Sequence, residues 1–312
     1  MTNAIVLPTH WLSDTCALAK EAALRAADRV RSRGKFIEKG QGDWASDVDL
    51  EIEEFIREGL ANIAPGTQFC GEESAGADSR ATAFTSTGDA ARQTEPPSAP
   101  NGSIAPNAPS EFNTSNASSL IWHVDPIDGS ANYVKGIPHF ATVISLSQVH
   151  SDGHEEALMG ITFDPNRNEC FATQVSHPTT LNGEPQRVSD CASRMRGLLA
   201  VVTPKPSSVW MPQFGQWLTH QLQQYGGVRR SGAMAIDLAW VACGRLDAFA
   251  GFHLAPWDIR AGLLQIRHSG GVHSESDPRR DHWALSPVPI AACFAANSEA
   301  LLPQLEGDIH DY

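Results

Sequence analysis

The stretch "LIWHVDPIDGSANYVKGIPHFATVISL" constrains this chain more than any other. "LIWHV" reads as a short apolar strand. It ends on two carboxylates, Asp125 and Asp128, three residues apart, and the chain then turns at Gly129-Ser130. A further strand pattern, "FATVISLSQV", follows soon after. An acid-turn-acid element at the end of an apolar strand is either a solvated turn or a holder of something cationic. Pro126 fixes one φ angle and helps aim both acids the same way. The backbone carbonyl of Ile127 adds an oxygen between them. Mg²⁺ takes oxygen ligands in near-octahedral geometry, usually a few carboxylates, several waters and a substrate phosphate. Gly129 lets the backbone turn sharply. Ser130 then opens a short helix whose N–H groups suit a phosphate. Spacing alone leaves both readings open.

The flanking sequence predicts interspersed helices and strands. Leu12, Cys16, Ala19, Ala23, Ala26 and Val30 form one stripe of an amphipathic helix over 12–30. A polar segment, "EKGQGDWASD", leads to a second helix with Ile52, Phe55, Ile56 and Leu60 on one face, ended by Pro65-Gly66. "EALMGITFDP", "ECFATQV", "LLAVVTP" and "LDAFAGF" read as strands, and "SGAMAIDLAWVACG" and "APWDIRAGLLQIRHSGG" as helices. The fold class is α+β or layered α/β. Residues 75–119 differ: Ala, Ser, Asn, Pro and Thr dominate, and Ile104 is the only branched aliphatic. Such a segment buries too little apolar surface to offset its ordering entropy, so it reads as a flexible low-complexity insertion.

Bulk properties narrow the function. With 312 residues and 41% hydrophobic content, the chain suits one large domain or two tightly joined subdomains. A net charge of −13 argues against a nucleic-acid or anionic-membrane surface and agrees with an acidic site that collects metal ions. No apolar stretch is long enough to span a bilayer, and the N-terminus lacks the pattern of a secretory signal. Six scattered cysteines without a C-x-x-C pair read as reduced thiols, which makes the cytoplasm the expected compartment.

Beside Asp125 and Asp128, three more acids stand at the edges of regular elements. Asp49 lies at the start of the second helix, Glu72 in "FCGEES", and Asp258 at the opening of the last long helix. In order along the chain, "GDWASDVDLEIEEFI", "GEES", "WHVDPIDGSANYVKGIPHFA" and "RRSGAMAIDLAWVACGRLDAF" with "PWDIRAGLLQIRHSGG" form four blocks. Together with "LNGEPQRVS" they resemble the inositol monophosphatase family of Mg²⁺-dependent, lithium-sensitive phosphatases. The third block matches that family's W-x-x-D-P-[ILM]-D-G-[ST]-x-N-[FY] signature along nearly its whole length.

The resemblance implies alternating helix and sheet layers, with the metal site between two subdomains. These form a catalytic core over 1–275, with a boundary near 150–200, and 276–312 completes it. It implies Glu72, Asp125, the Ile127 carbonyl, Asp128 and Asp258 as Mg²⁺ ligands, with Asp49 at an additional metal position. Asp49, Glu72 and Ser130 are then the catalytic residues: Ser130 with Asp49 orients the attacking water. Asp128, Gly129, Ser130, Gly232, Ala233 and Met234 line the phosphate and substrate side. The reaction implied is direct hydrolysis of a small phosphorylated metabolite without a phosphoenzyme, inositol 1-phosphate being the default. Histidinol phosphate, fructose 1,6-bisphosphate and 3'-phosphoadenosine 5'-phosphate are the alternatives, and a regulatory binding protein with a residual metal site is the non-enzymatic one. A homodimer is expected on the same ground. Three departures bear on substrate choice. Gly251 stands where relatives carry a hydroxyl-binding Glu, and Met234, larger than the usual Ala, is expected to crowd the pocket. Ser46 stands where Thr is usual in the block that also supplies Asp43. His123, His253, Asp237, Arg229 and Arg230 carry no assigned role beyond support or anion contact.

Overall fold

The computed structural model describes residues 5–30, 36–40, 43–75, 119–151, 153–204, 211–252, 254–276, 292–298 and 301–302, with backbone alone for 36–40, 43–46, 275–276 and 292. The insertion over 76–118 and His253 lie outside the described residues, as do the side chains of Asp43 and Ser46.

Among the described residues, the helices of six or more residues are α1 (Thr9–Val30), α2 (Asp47–Ile63), α3 (Ser130–Lys135), α4 (Met211–Gln224), α5 (Met234–Ala242) and α6 (Pro256–Arg267). A seven-stranded sheet runs in the order β3 (Gln68–Gly71), β4 (Leu120–Asp128), β5 (Ala141–Val149), β6 (Glu155–Asp164), β7 (Glu169–Gln174), β8 (Thr180–Leu181), β9 (Glu184–Pro185). Its β3–β4 pair is parallel and the remaining pairs are antiparallel. A five-stranded sheet runs β11 (Gly227–Arg229), β10 (Leu198–Val202), β12 (Ala248–Gly251), β14 (Ala292–Ala296), β13 (Val272–Ser276). Strands β1 (Phe36–Gly40) and β2 (Asp43–Ser46) form a separate antiparallel hairpin within the segment that reads as merely polar in sequence.

Strand alternation sorts the layers. On β4, Leu120, Trp122 and Val124 pack with Trp11, Ala19, Ala22 and Ala26 of α1 and Ile52 and Ile56 of α2. The opposite face of this sheet meets α5 and α6, where Val143 packs with Ala235 and Ala261, and Ala141 with Ala233 and Ile236. Beyond those helices, Ala200 and Phe249 of the second sheet pack with Leu238, Val241, Ile259 and Leu263. Its far face, with Leu199, Val201, Ala248 and Ala250, is covered by Phe214 and Trp217 of α4. The result is five layers, helix–sheet–helix–sheet–helix, with the α5/α6 pair buried between two sheets. That explains why nearly every residue of α6 from Ile259 to Ile266 is buried.

Two sequence expectations shift in detail. The buried stripe of α1 is Trp11, Thr15, Ala19, Ala22, Ala23 and Ala26, while Leu12, Cys16 and Val30 lie on its flank. Small residues form the centre because α1 lies close against the sheet. Helix α4, which the sequence reading left unassigned, seats Met211, Phe214, Trp217 and Leu218, at helical spacing, on the second sheet.

Candidate active site

A regular strand would send Asp125 and Asp128 to opposite faces. The register with β5 prevents this: Asp125 pairs with Val143 and Asp128 with Ala141, so β4 carries one extra residue in that interval. This bulge restores parity and lets both acids, each almost fully buried, serve one site. The Asp125 carboxylate accepts the Ile127 amide at 2.9 Å, which closes the turn. Gly129 follows at φ 92°, and an added Cβ would stand 3.1 Å from both Ala233 Cβ and the Gly232 carbonyl. The predicted phosphate turn and the predicted substrate loop are therefore in close contact. Asn132 secures them, its amide donating to the Ser231 carbonyl at 3.0 Å and the His139 carbonyl at 2.8 Å. Ser130 opens α3 as expected, and its hydroxyl donates to the Ile127 carbonyl at 3.0 Å.

The other acids converge from separate elements. Glu72 follows β3, which lies parallel to β4, and its carboxyl hydrogen-bonds that of Asp125. Burial lifts the Asp125 carboxyl well above its ordinary value, and the charges of Glu72, Asp128 and Asp258 add to the effect. Asp128 rises to about 8 because burial and the charges of Asp258 and Asp237 outweigh two backbone hydrogen bonds. Asp258 is the third residue of α6 rather than its N-cap, and its carboxylate accepts the Ala255 amide at 2.7 Å. Asp49, 1% exposed on α2, lies on the side of α3, where burial and then its charge push the Tyr133 phenol upward.

Among the described residues, no group of three or more His, Cys, Asp or Glu side chains stands ready-spaced around a metal ion. The acids are closed instead on one another and on amides. Carboxylates that repel relieve the repulsion by sharing protons and N–H donors. The donor chemistry nonetheless fits a hard divalent cation: four carboxylates and a backbone carbonyl, all oxygen, at the junction of two sheets.

Three further residues that the sequence singles out have defined surroundings. The half-buried Met234 side chain packs against the Leu238–Phe249 cluster, and its amide donates to Asp128 at 3.2 Å. Asp237 accepts the Ser231 hydroxyl at 2.7 Å, and burial raises its carboxyl to about 7. Gly251 is buried, and a Cβ there would stand 2.4 Å from Leu254 Cδ1 and 2.9 Å from Phe249 Cε1. The space is already filled by apolar side chains.

Two supports are not visible in the motifs. Glu53, one turn beyond Asp49 on α2, accepts the amides of Glu73 at 2.8 Å and Ser74 at 3.1 Å and so holds the helical turn that carries Glu72. The i, i+4 spacing from Asp49 is a signal that two buried acids share one helix face. His123, Glu155 and Arg260 form a buried group on the site side of β4. His123 Nε2 lies 2.7 Å from the Glu155 carboxylate, and Arg260 lies 3.3 Å from the same oxygen.

With this geometry, the comparison with known proteins is decisive. The model of the inositol monophosphatase family matches residues 9–309. The chain belongs to the inositol monophosphatase family. The inositol-1-monophosphatase of Caulobacter vibrioides is 31% identical over 294 residues, covering 91% of this chain and 96% of the relative. Nus factor SuhB of Pseudomonas aeruginosa is 34% identical over 191 residues, 59% of this chain and 68% of the relative. Among solved structures, the extragenic suppressor protein SuhB of Bartonella henselae superposes with a TM-score of 0.72 at 24% identity, covering 95% of this chain and 97% of that one. The layered architecture is thus that of the inositol monophosphatase family. Among the described residues no helix is long and apolar enough to cross a membrane.

Proposed function

We propose that this member of the inositol monophosphatase family hydrolyses a small phosphate monoester with Mg²⁺, inositol 1-phosphate being the first substrate to test. The observation that carries this reading is the convergence of Glu72, Asp125, Asp128 and Asp258 from β3, β4 and α6. In this reading, these carboxylates and the Ile127 carbonyl hold the cation. When bound, Mg²⁺ neutralises phosphate charge and lowers the pKa of the attacking water. The chain's own groups do the rest. The amides of Gly129 and Ser130 orient the phosphate, and the Ser130 hydroxyl with Asp49 behind it orients the water. The Gly232-Ala233 turn, packed against Gly129, and Met234 at the start of α5 bound the side where the alcohol leaves. The two sheets are read as two tightly packed subdomains, and the protein as a homodimer.

The filled space at Gly251 leaves the alcohol open, so histidinol phosphate, fructose 1,6-bisphosphate and 3'-phosphoadenosine 5'-phosphate belong in the same assay. Phosphate release from such a panel with Mg²⁺ ranks them. Asp125→Asn should abolish release while the circular dichroism spectrum stays unchanged, and unchanged turnover would exclude the mechanism. A second reading is a regulatory binding protein, supported by relatives that carry the name Nus factor SuhB. Release below background from every panel member by the wild-type protein would favour it.

A further inference from the structure

The buried polar group beside the site has a geometry that packing alone does not require. His123 and Asp125 lie two residues apart on β4, so both project from the face that meets α6. Arg260 lies two residues beyond Asp258 on α6. Glu155, at the first position of β6, joins them: its carboxylate meets His123 Nε2 at 2.7 Å and Arg260 Nη2 at 3.3 Å, and its carbonyl accepts Arg260 Nη1 at 3.0 Å. All three are nearly inaccessible, at 2%, 4% and 6% exposure for His123, Glu155 and Arg260.

A buried ionic cluster of this kind is a weak source of stability, because desolvation offsets the attraction, whereas its directional contacts specify one arrangement. Apolar contacts already seat α6. Ile259, Leu263 and Ile266 pack towards the second sheet, and Ala261 packs with Val143 towards the first. Its C-terminal half is separately tied, Gln265 Nε2 donating to the Phe171 carbonyl at 3.1 Å and to Thr162 Oγ1 at 3.3 Å. The N-terminal half, which carries Asp258, faces like charge from Asp125 and Asp128. The Glu155 bridge ties that half of α6 to β4 and β6, beside the acids.

We infer that His123, Glu155 and Arg260 are positioning residues for the cation site, clamping the strand that carries Asp125 to the helix that carries Asp258. The inference rests on the Mg²⁺ reading above. The clamp contributes to cation affinity rather than to the chemical step. Groups that orient metal-binding side chains typically change affinity by about 10–100-fold when removed.

The test is Mg²⁺ binding by isothermal titration calorimetry, without substrate, on the full chain. His123→Leu removes the ring nitrogen, His123→Gln keeps a donor near Nε2, and Glu155→Gln keeps shape while removing charge. His123→Leu and Glu155→Gln should each weaken Mg²⁺ at least about tenfold, with His123→Gln within about threefold of wild type. In phosphate release, kcat at saturating Mg²⁺ should recover to near wild type while the Mg²⁺ midpoint stays raised. If His123→Leu does not fold, the isosteric Glu155→Gln carries the comparison. Wild-type affinity in a folded Glu155→Gln protein would overturn the inference and leave the metal-dependent reading standing. Absence of Mg²⁺ binding by the wild type would overturn both.

Discussion

The Asp128 carboxylate accepts the Ala235 amide at 2.8 Å, fastening the bulged end of β4 to the start of α5 across 107 residues of sequence. This bond serves the isolated protein by giving a buried acid an N–H partner at a helix N-terminus. Asp128 is nonetheless an expensive residue to keep ionised without a cation, since burial outweighs this bond and holds its carboxyl at about 8. Asp128→Asn should therefore separate activity from stability. Phosphate release should fall at least about a hundredfold, while the metal-free melting temperature at alkaline pH should hold or rise. A fall in both together would mean that Asp128 is structural.

Stability without divalent cation should depend on pH in a definite direction. Burial raises Asp128 to about 8 and Asp237 to about 7, above the unfolded value of about 4. In that window the folded chain binds more protons than the unfolded one. The stability these two groups contribute is full below pH about 4 and is lost as pH rises through their folded values. Asp237→Asn should flatten the part of the decline that ends near pH 7. Urea denaturation across the window, with and without the substitution, measures it; an unchanged slope would rule Asp237 out.

Mg²⁺ should reverse that trend. Protons and the cation compete for Asp125 and Asp128, whose carboxyls are both raised. The Mg²⁺ midpoint for thermal stabilisation should rise as pH falls below about 8, and Mg²⁺ should protect most where the metal-free protein is weakest. A midpoint independent of pH would separate these acids from the cation.

Helix α6 approaches β6 so closely that a Cβ on Gly160 would stand 2.7 Å from Ala261 Cα and 2.8 Å from its carbonyl oxygen. Backbone cannot swing aside as a side-chain tip does. Gly160→Ala should destabilise the protein by about 1–3 kcal/mol in urea. It should also weaken Mg²⁺ binding, because the helix that is displaced carries Asp258.

At Gly251 the obstruction is softer, since Leu254 Cδ1 is the end of a side chain. Gly251→Glu should lower the melting temperature and leave KM for inositol 1-phosphate unimproved. Adding Leu254→Ala should recover part of the lost stability by clearing the space. An improved KM in the single variant would mean that the Gly251 wall yields more readily than its packing implies.

Much of this molecule was legible in advance. Local patterns announced α2, where Ile52, Ile56 and Leu60 are spaced at whole turns, and β4 with its acid-terminated apolar run. The αL turn at Gly129 and the helix at Ser130 followed from the D-G-S order. The β1–β2 hairpin was missed because its strands lack an apolar alternation. Helix α4 was left unassigned although Met211, Phe214, Trp217 and Leu218 stand at helical spacing.

The chain's own order of residues determined the element types, the acids available to a cation and the family to which it belongs, because these depend on short-range spacing and local backbone preference. Tertiary structure alone decided which acids meet. A one-residue bulge turns Asp125 and Asp128 to the same side, Glu53 anchors the Glu72 turn from another helix, and Glu155 joins His123, 32 residues before it, to Arg260, 105 residues after it. Such contacts join positions far apart in the chain. They are set by the register between strands and the approach of helix to sheet, which arise only once the layers have packed.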